Sequence, residues 1–529
     1  MITQERHLDK SELVDQMAEL QQFVHDAARD GTAAHEVEHD LFRRLLSLGH
    51  DLLSKFFSLQ GSGDIGQQLT LPDGEVLPRQ PELHDRPYTT IFGDFTLSRT
   101  VYSAGANQQL VAPLDARLQL PDCKFSHLLQ SWDQLVATEQ PYGQVSRVFK
   151  TIFELRQHTD SLERMSRRLS PDAAAFCWSR PVPPAREEGE ILVESADGKG
   201  VPIRHAADTR PVQEHQHRPG PKPDRKRMAT VGAVYSVDRF VRTPEQVLEA
   251  LFHNPDERPS PDAPQRPRPQ HKWSYARLDD DPQQPDAVKG QATTFAWLDE
   301  QIRARLKRRR KHVPVVCLMD GQETLWSMKD RLQSDLVTVD ILDLLHVTPR
   351  LWKAAKLFHL RDESAAEAFV REQVRRILHG QVHTVIHSLR AHATRRGLSK
   401  QKKAKLGVIC NYYAKNASRM RYDEYLRQGY PIASGVIEGA CRHLVKDRLE
   451  RTGMCWTRPG AQAMLNLRAI WTCDQWNEFD KYWGERENAR LYPYLARIIH
   501  QCWATSRKSF SSREVQRSHL EHRAEAGNY

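Results

Sequence analysis

The chain has 529 residues, with 77 Lys+Arg against 68 Asp+Glu and a formal net charge of +9; this length exceeds one ordinary core and points to roughly three folded units. Hydrophobic residues make up 39% and charged residues 27%, and the mean hydropathy is −0.65, which describes a real core under a wet, charge-rich surface. No run approaches the ~18 apolar residues of a membrane span, the charged opening MITQERHLDK is no secretory signal, and the eight cysteines form no C-x-x-C pair, so reduced cytoplasmic thiols are expected in place of a disulfide framework or zinc knuckle.

Taken in chain order, residues 11–60 read as helices. Leu13, Met17 and Leu20 fall at helical spacing, as do Leu41, Leu45, Leu48 and Leu52. A helical hairpin or oligomerisation arm is expected there. Residues 86–103 suggest a β-hairpin, with Tyr88, Ile91, Phe95, Leu97, Val101 and Tyr102 around Gly93-Asp94. Between 125 and 170 the helical pattern returns. A segment near Tyr142–Phe153 precedes a break at His158-Thr159-Asp160 and a second short helix. There Leu162, Met165 and Leu169 share one face while Arg164, Arg167 and Arg168 take the other. That pattern suits either a helix-turn-helix, its arginines free for phosphates or guanine edges, or an ordinary amphipathic helix with a solvated basic face.

Residues 190–350 have strand character, interrupted by a His/Pro/Arg/Lys-rich stretch near 205–227 and a Pro-rich one over about 253–290. Both are expected to be flexible excursions. The strand Ile191–Ala196 delivers Asp197; Gly198-Lys199-Gly200 and a second extended segment at 201–203 follow. Another strand spans 229–237, then come a helix from about 294 to 311 and a buried-type strand, 313–319, ending on Asp320-Gly321. A last strand, 337–342, ends at Asp343 and His346, and Thr348-Pro349 is expected to open a helix as N-cap and N1. From there to about 483 the pattern is helical, and the tail from about 506 is polar. Strands leading into strand–helix–strand crossovers make an α/β sheet, and open sheets place ligands where strands end.

A third carboxylate appears in PIASGVIEGA at 431–440, where Ser434 can cap a helix carrying Glu438 in its first turn. Arg442 and Lys446 follow at i+4 and i+8, and Gly435 and Gly439 would permit close approach to the sheet. Singly these residues have plain readings: Asp-Gly forms turns, and Glu438 with Arg442 makes a helical ion pair. Together, three converging carboxylates repel one another unless divalent cations neutralise them, and hard oxygen ligands favour magnesium or manganese. Two such ions ~3.5–4 Å apart serve in-line displacement at phosphorus.

ESADGKGVP at 194–202, VVCLMDGQETLW at 315–326, VDILDLLHVTPRLWKAA at 339–355 and ASGVIEGACRHLVKDRLERTGMCW at 433–456 resemble bacterial insertion-sequence transposases. The match is to the ISKra family, within the Mutator-related DDE transposases, over about residues 80–475. The resemblance implies a multidomain α+β protein whose RNase H-like core carries the triad Asp197, Asp320 and Glu438 on two Mg²⁺ or Mn²⁺ ions. An N-terminal helical region (1–78) and a DNA-binding region (79–180) come before the first part of the core (187–350). A helical insertion (351–430), the glutamate helix and end of the core (431–475) and a C-terminal helix and tail (476–529) complete it. Asp343-Leu344-Leu345-His346 fits the Cys-or-Asp, two residues, His signature of related superfamilies. His346 would there order the substrate phosphate or support the metal, or else serve as a capping or core histidine.

The same resemblance makes Arg164, Arg167, Arg168, Lys199, Arg442 and Lys446 DNA contacts, with Arg395-Arg396, Lys400, Lys402-Lys403 and Lys405 tracking a second DNA segment. Trp456 either stacks on an unpaired base or is a buried structural tryptophan. The implied partners are double-stranded terminal repeats and target DNA, with at least a homodimer pairing two element ends, in the bacterial cytoplasm at the nucleoid and away from membranes. The implied reaction cleaves a strand with metal-activated water and joins the freed 3′-hydroxyl to target DNA. A hydrolytic RNase H-like nuclease or resolvase and a catalytically dead DNA-binding relative are the alternatives.

Overall fold

A computed structural model describes residues 10–71, 73–105, 110–204, 226–253, 265–281, 286–309 and 312–493. The chain falls into two units, Met1–Met165 with Asp480–Tyr529, and Ser166–Phe479. In the first, α1 (Lys10–Asp30) and α2 (Ala34–Gln60) form the expected hairpin. A two-stranded sheet follows from β1 (Gln68–Thr70) and β2 (Val76–Pro78), then a second from β3 (His84–Thr90) and β4 (Gly93–Arg99). Thr90 pairs with Gly93, so the turn residues are Ile91 and Phe92 and not Gly93-Asp94. Helices α3 (Pro113–Leu118), α4 (His127–Glu139) and α5 (Tyr142–Phe153) come next. Helix α5 has the expected bounds and stops at Glu154, which adopts a left-handed conformation with φ 59°. The second helix of that pair, α6 (Thr159–Ser179), is no short element: it runs for 21 residues and carries Pro171 inside.

The second unit is built on a five-stranded sheet. Its strands are β5 (Ile191–Pro202), β6 (Lys226–Val237) and β7 (Gln270–Leu278), with α7 (Pro244–Leu251) between the last two, then β8 (Val315–Met319) and β9 (Val339–Leu342), preceded by α8 (Gly290–Lys307) and α9 (Glu323–Leu332) respectively. The spatial order is β7-β6-β5-β8-β9. The pairs β5–β6 and β6–β7 are antiparallel; β5–β8 and β8–β9 are parallel.

Two strand expectations change. Asp197, Gly198, Lys199 and Gly200 do not separate two strands: they pair with Val231, Thr230, Ala229 and Met228 inside one 12-residue β5. The Pro-rich stretch is not one excursion either, because residues 270–278 form β7, a strand that buries Trp273 and Tyr275. Residues 205–225, 254–264 and 282–285 of the two expected excursions, and the polar tail, lie outside the described residues.

Helix α8 covers one face of the sheet, where Thr294 Oγ1 donates to the Thr230 carbonyl at 3.2 Å and Gly232 leaves no room for a Cβ beneath Thr294. The other face carries five helices: α10 (Leu344–Phe358), α11 (Glu363–Leu378), α12 (Val382–Arg395), α13 (Lys400–Asn416) and α14 (Tyr422–Arg427). Ile191, Val193, Val316 and Leu318 of the sheet share a core with Val347 and Leu351 of α10 and Leu406 of α13. Each such fully buried side chain contributes about 1.5–3 kcal/mol. Helix α15 (Gly435–Ala440), a π-helical turn (Cys441–Lys446), α16 (Asp447–Leu449), α17 (Arg458–Trp471) and α18 (Trp476–Leu491) end the described chain. Thr348-Pro349 does not open α10: Asp343 caps it, and Thr348 Oγ1 donates to the Leu344 carbonyl at 3.0 Å within it. No described helix is long and apolar enough to cross a membrane.

Candidate active site

Strand register brings the carboxylates together. In the β5–β8 ladder, Val315 stands opposite Leu192, 123 residues on, and the two following pairs keep that offset. Asp320 follows Asp197 by the same 123 residues, so the register that pairs the strands as far as Glu194 and Cys317 carries both toward one end of the sheet, near enough for the charge of Asp197 to act on Asp320. In the β8–β9 ladder the offset is 23, from Val316 opposite Val339 to Met319 opposite Leu342. Asp343 follows Asp320 by 23 residues, and its N–H continues the ladder to the Met319 carbonyl at 2.8 Å. Residues level across a sheet point to one face. Asp320 and Asp343 follow the ends of β8 and β9, and with Asp197 inside β5 they form a row across three adjacent strands.

Helix α15 lies over that face. Ser195, two residues before Asp197 and so on its side of β5, has its Oγ 3.5 Å from Ser434 Oγ. Ser434 is the expected N-cap, accepting from Ile437 N at 3.3 Å, and Cys441 Sγ donates to Asp197 Oδ2 at 3.5 Å. Asp343 joins two helix starts: its Oδ1 accepts from Leu345 N at 2.8 Å in α10, and its Oδ2 accepts from Ser434 N at 3.3 Å. The Leu344 N–H also donates to the Ile432 carbonyl at 2.9 Å. This fastening sets His346 Nε2 at 3.9 Å from Glu438 Oε1. Ligand atoms of Asp343, His346 and Glu438 all lie within 4.8 Å of one another.

The electrostatics follow from this crowding. Burial raises the Asp320 pKa above the usual carboxylate value and the charge of Asp197 adds to the rise, while the Gln322 N–H, 2.9 Å from Asp320 Oδ1, opposes it. Asp343 is buried, which pushes its pKa up to about 6 against the pull of the Leu345 and Ser434 N–H groups and of His346. Among the described residues no Lys or Arg forms an ion pair with Asp197, Asp320 or Asp343. Behind Asp320, Trp326 Nε1 donates to its carbonyl at 2.6 Å, and Gly321 is needed because a Cβ there would enter the Tyr412 ring.

Asp197 and Asp320 are brought together as expected, although Asp197 lies within its strand and not at its end. Glu438 stands closest to Asp343 and His346, and the turn that follows it reaches Asp197 through Cys441. Asp343, expected as a strand end and as half of a signature, is the residue on which the starts of both helices are fixed.

The predicted DNA contacts divide. Arg164 and Arg167 are exposed opposite buried Leu162, Met165 and Leu169, as expected, and Arg168 is half-buried. Lys199 lies 3.8 Å from Glu450, which also pairs with Lys226 at 2.8 Å. Arg442 and Lys446 are exposed, with Arg442 3.6 Å from Asp447. They do not stack at α-helical spacing beneath Glu438, because the chain is π-helical from Cys441 to Lys446 and its i→i+5 bonding changes the phase. A Cβ at Gly435 or Gly439 would meet no sheet atom within 4 Å, so these glycines do not serve close approach to the sheet.

Trp456 is no stacking platform. It is 8% exposed, its Nε1 donates to the Leu449 carbonyl at 3.2 Å, and its backbone bridges to Ile203.

Compared with known proteins, the chain matches no family model, and no curated protein matches it.

Proposed function

We propose that this chain is a metal-dependent DNA strand-cleaving and strand-joining enzyme, a DDE transposase of the insertion-sequence kind with an RNase H-like core. The observation that carries the reading is the row of Asp197, Asp320 and Asp343 on three adjacent strands, faced by Glu438 and His346. The sheet order, antiparallel on one side of β5 and parallel on the other, is compatible with such a core.

The donors suit hard divalent cations: carboxylate oxygens with one imidazole, and, among the described residues, no Lys or Arg pairing with the row. Asp197 and Asp320 would hold Mg²⁺ or Mn²⁺ with Glu438. When bound, the ions supply activation of the attacking oxygen and stabilisation of the leaving one at phosphorus. Asp343 keeps the first turns of α10 and α15 in register. His346, half-exposed beside Glu438, would hydrogen-bond a phosphate oxygen. Arg164 and Arg167 offer exposed guanidinium groups for the DNA backbone.

Asp320→Asn tests the assignment. Cleavage of element-end DNA in magnesium should be lost while affinity for those ends stays within about twofold, as expected when contacts outside the site dominate binding; full cleavage by the variant would remove Asp320 from the site. Joining of pre-cleaved 3′-ends to a target duplex separates a transposase from a nuclease that only hydrolyses.

A further inference from the structure

Beside the start of α15 the second unit holds a cavity of about 330 Å³. Tyr235, Phe240, Pro267 and Pro431 give it apolar walls, and Ala433 and Val436 bring it to the helix that carries Glu438. Its volume lies in the ~300–1,000 Å³ span of small-molecule sites, which combine apolar walls with a few polar groups. Tyr235 stands opposite Val193 in the β5–β6 ladder, and Val193 precedes Asp197 by four residues. All three side chains therefore share one face of the sheet. The cavity lies on the face of the carboxylate row, ~13 Å along the strand from Asp197.

Cationic groups dominate its rim. Arg242, Arg266 and Arg268 border the cavity. Arg242 is half-buried, with its guanidinium 5.2 Å from the centre of the Phe240 ring. Its Nε donates to the Phe240 carbonyl at 3.4 Å and its Nη2 to the Tyr430 carbonyl at 3.3 Å; those bonds use two of its five N–H donors. Burial, and then the charge of Arg266, pulls its pKa down to about 10, so the two guanidinium groups are held close against their repulsion. Among the described residues none of the three arginines pairs with a carboxylate. Asp238, which also lines the cavity, accepts instead from Glu190 N and Gln270 Nε2, both at 3.3 Å.

Arginines gathered at an apolar slot without a counter-charge suit a ligand that is flat and apolar at one end and anionic at the other. We propose that this cavity takes one nucleotide, its base between the apolar walls and its phosphate on Arg242 and Arg266. Aromatic and guanidinium planes stack on bases whatever their sequence, and guanidinium groups grip phosphate with two donors at once. The nucleotide comes from an unpaired strand or is free in solution; the nearby row favours the strand. The proposal stands on the cavity and its arginines and does not rest on the metal-site reading.

Photocross-linking of the full-length chain in the presence of a metal chelator, with the modified peptides mapped by mass spectrometry, tests it. The probes are a single-stranded heptamer of 5-iododeoxyuridine and 5-iododeoxyuridine monophosphate. Cross-links should fall on Tyr235 or Phe240. They should drop at least about tenfold in Arg242→Ala, the loss of one hydrogen-bonded charge. Arg266 is exposed, so Arg266→Ala keeps the test valid if Arg242→Ala unfolds, and it should lower the same cross-links several-fold. A higher yield from the heptamer at equal nucleotide concentration assigns the site to a strand, and a higher yield from the monophosphate assigns it to a free nucleotide; both uphold the proposal. Cross-links confined to other peptides, or yields at Tyr235 and Phe240 unchanged in both arginine variants, would overturn it. Because no metal is present, this result is independent of strand cleavage, and the two readings fail separately.

Discussion

Two regions bury aspartates, and they do so differently. In the first unit, Asp133 on α4 is fully buried, and neither carboxylate oxygen has a hydrogen-bond partner; burial lifts its pKa to about 8. In the second unit, Asp343 is also buried, but two backbone N–H groups hold its oxygens and its pKa rises only to about 6. Ranked by pKa alone, Asp133 would be the better candidate for chemistry. Convergence decides against it: Asp343 stands in a row with Asp320 and Asp197 beside His346 and Glu438, and among the described residues Asp133 belongs to no such cluster. A perturbed carboxyl becomes a site when the backbone brings others to the same place.

The comparison can be broken first at Asp133. A raised folded-state pKa means that the native chain keeps its proton where the unfolded chain has lost it. From that group, stability is therefore highest below about pH 4 and falls as pH rises toward about 8, by at most ~1.4 kcal/mol per unit. Asp133→Asn should remove that slope in chemical denaturation and leave strand cleavage unchanged; a loss of cleavage would make Asp133 functional after all. Asp343→Asn should do the reverse. It keeps one acceptor for the two helix N–H groups, so the fold should survive, while manganese affinity measured by calorimetry drops about 10–100-fold, as for residues that orient ligands. Unchanged affinity would reduce Asp343 to a helix cap. The smallest effect is expected at Arg164 and Arg167. Replacing each by Ala should flatten the salt dependence of element-end binding by ~0.9 log unit per log unit of salt, and an unchanged slope would make that face a solvated one.

Much of this was legible in the sequence, for identifiable reasons. The run ending at Asp320 is uniformly buried over Val315–Met319, as an apolar strand in a parallel sheet should be. The cap at Ser434 and the place of Glu438 in the following turn are local and were readable as such. Gly198-Lys199-Gly200 looks like a turn and so suggests a strand end at Asp197. Pairing with β6 overrides that local preference. Strand β7 hid among prolines, and only its antiparallel partner β6 gives Trp273 and Tyr275 an inner face to occupy. The burial of Trp456 likewise depends on a bridge to Ile203, more than 200 residues away in the chain, which no local pattern announces.

The central claim is that the sheet-face carboxylates bind the metal that cuts DNA. Crystals soaked in manganese and measured at its absorption edge test it most directly. The account predicts anomalous density in contact with the carboxylates of Asp197 and Asp320, lost in Asp320→Asn. Density confined to other parts of the molecule, with Asp197 and Asp320 bare at millimolar manganese, would contradict it.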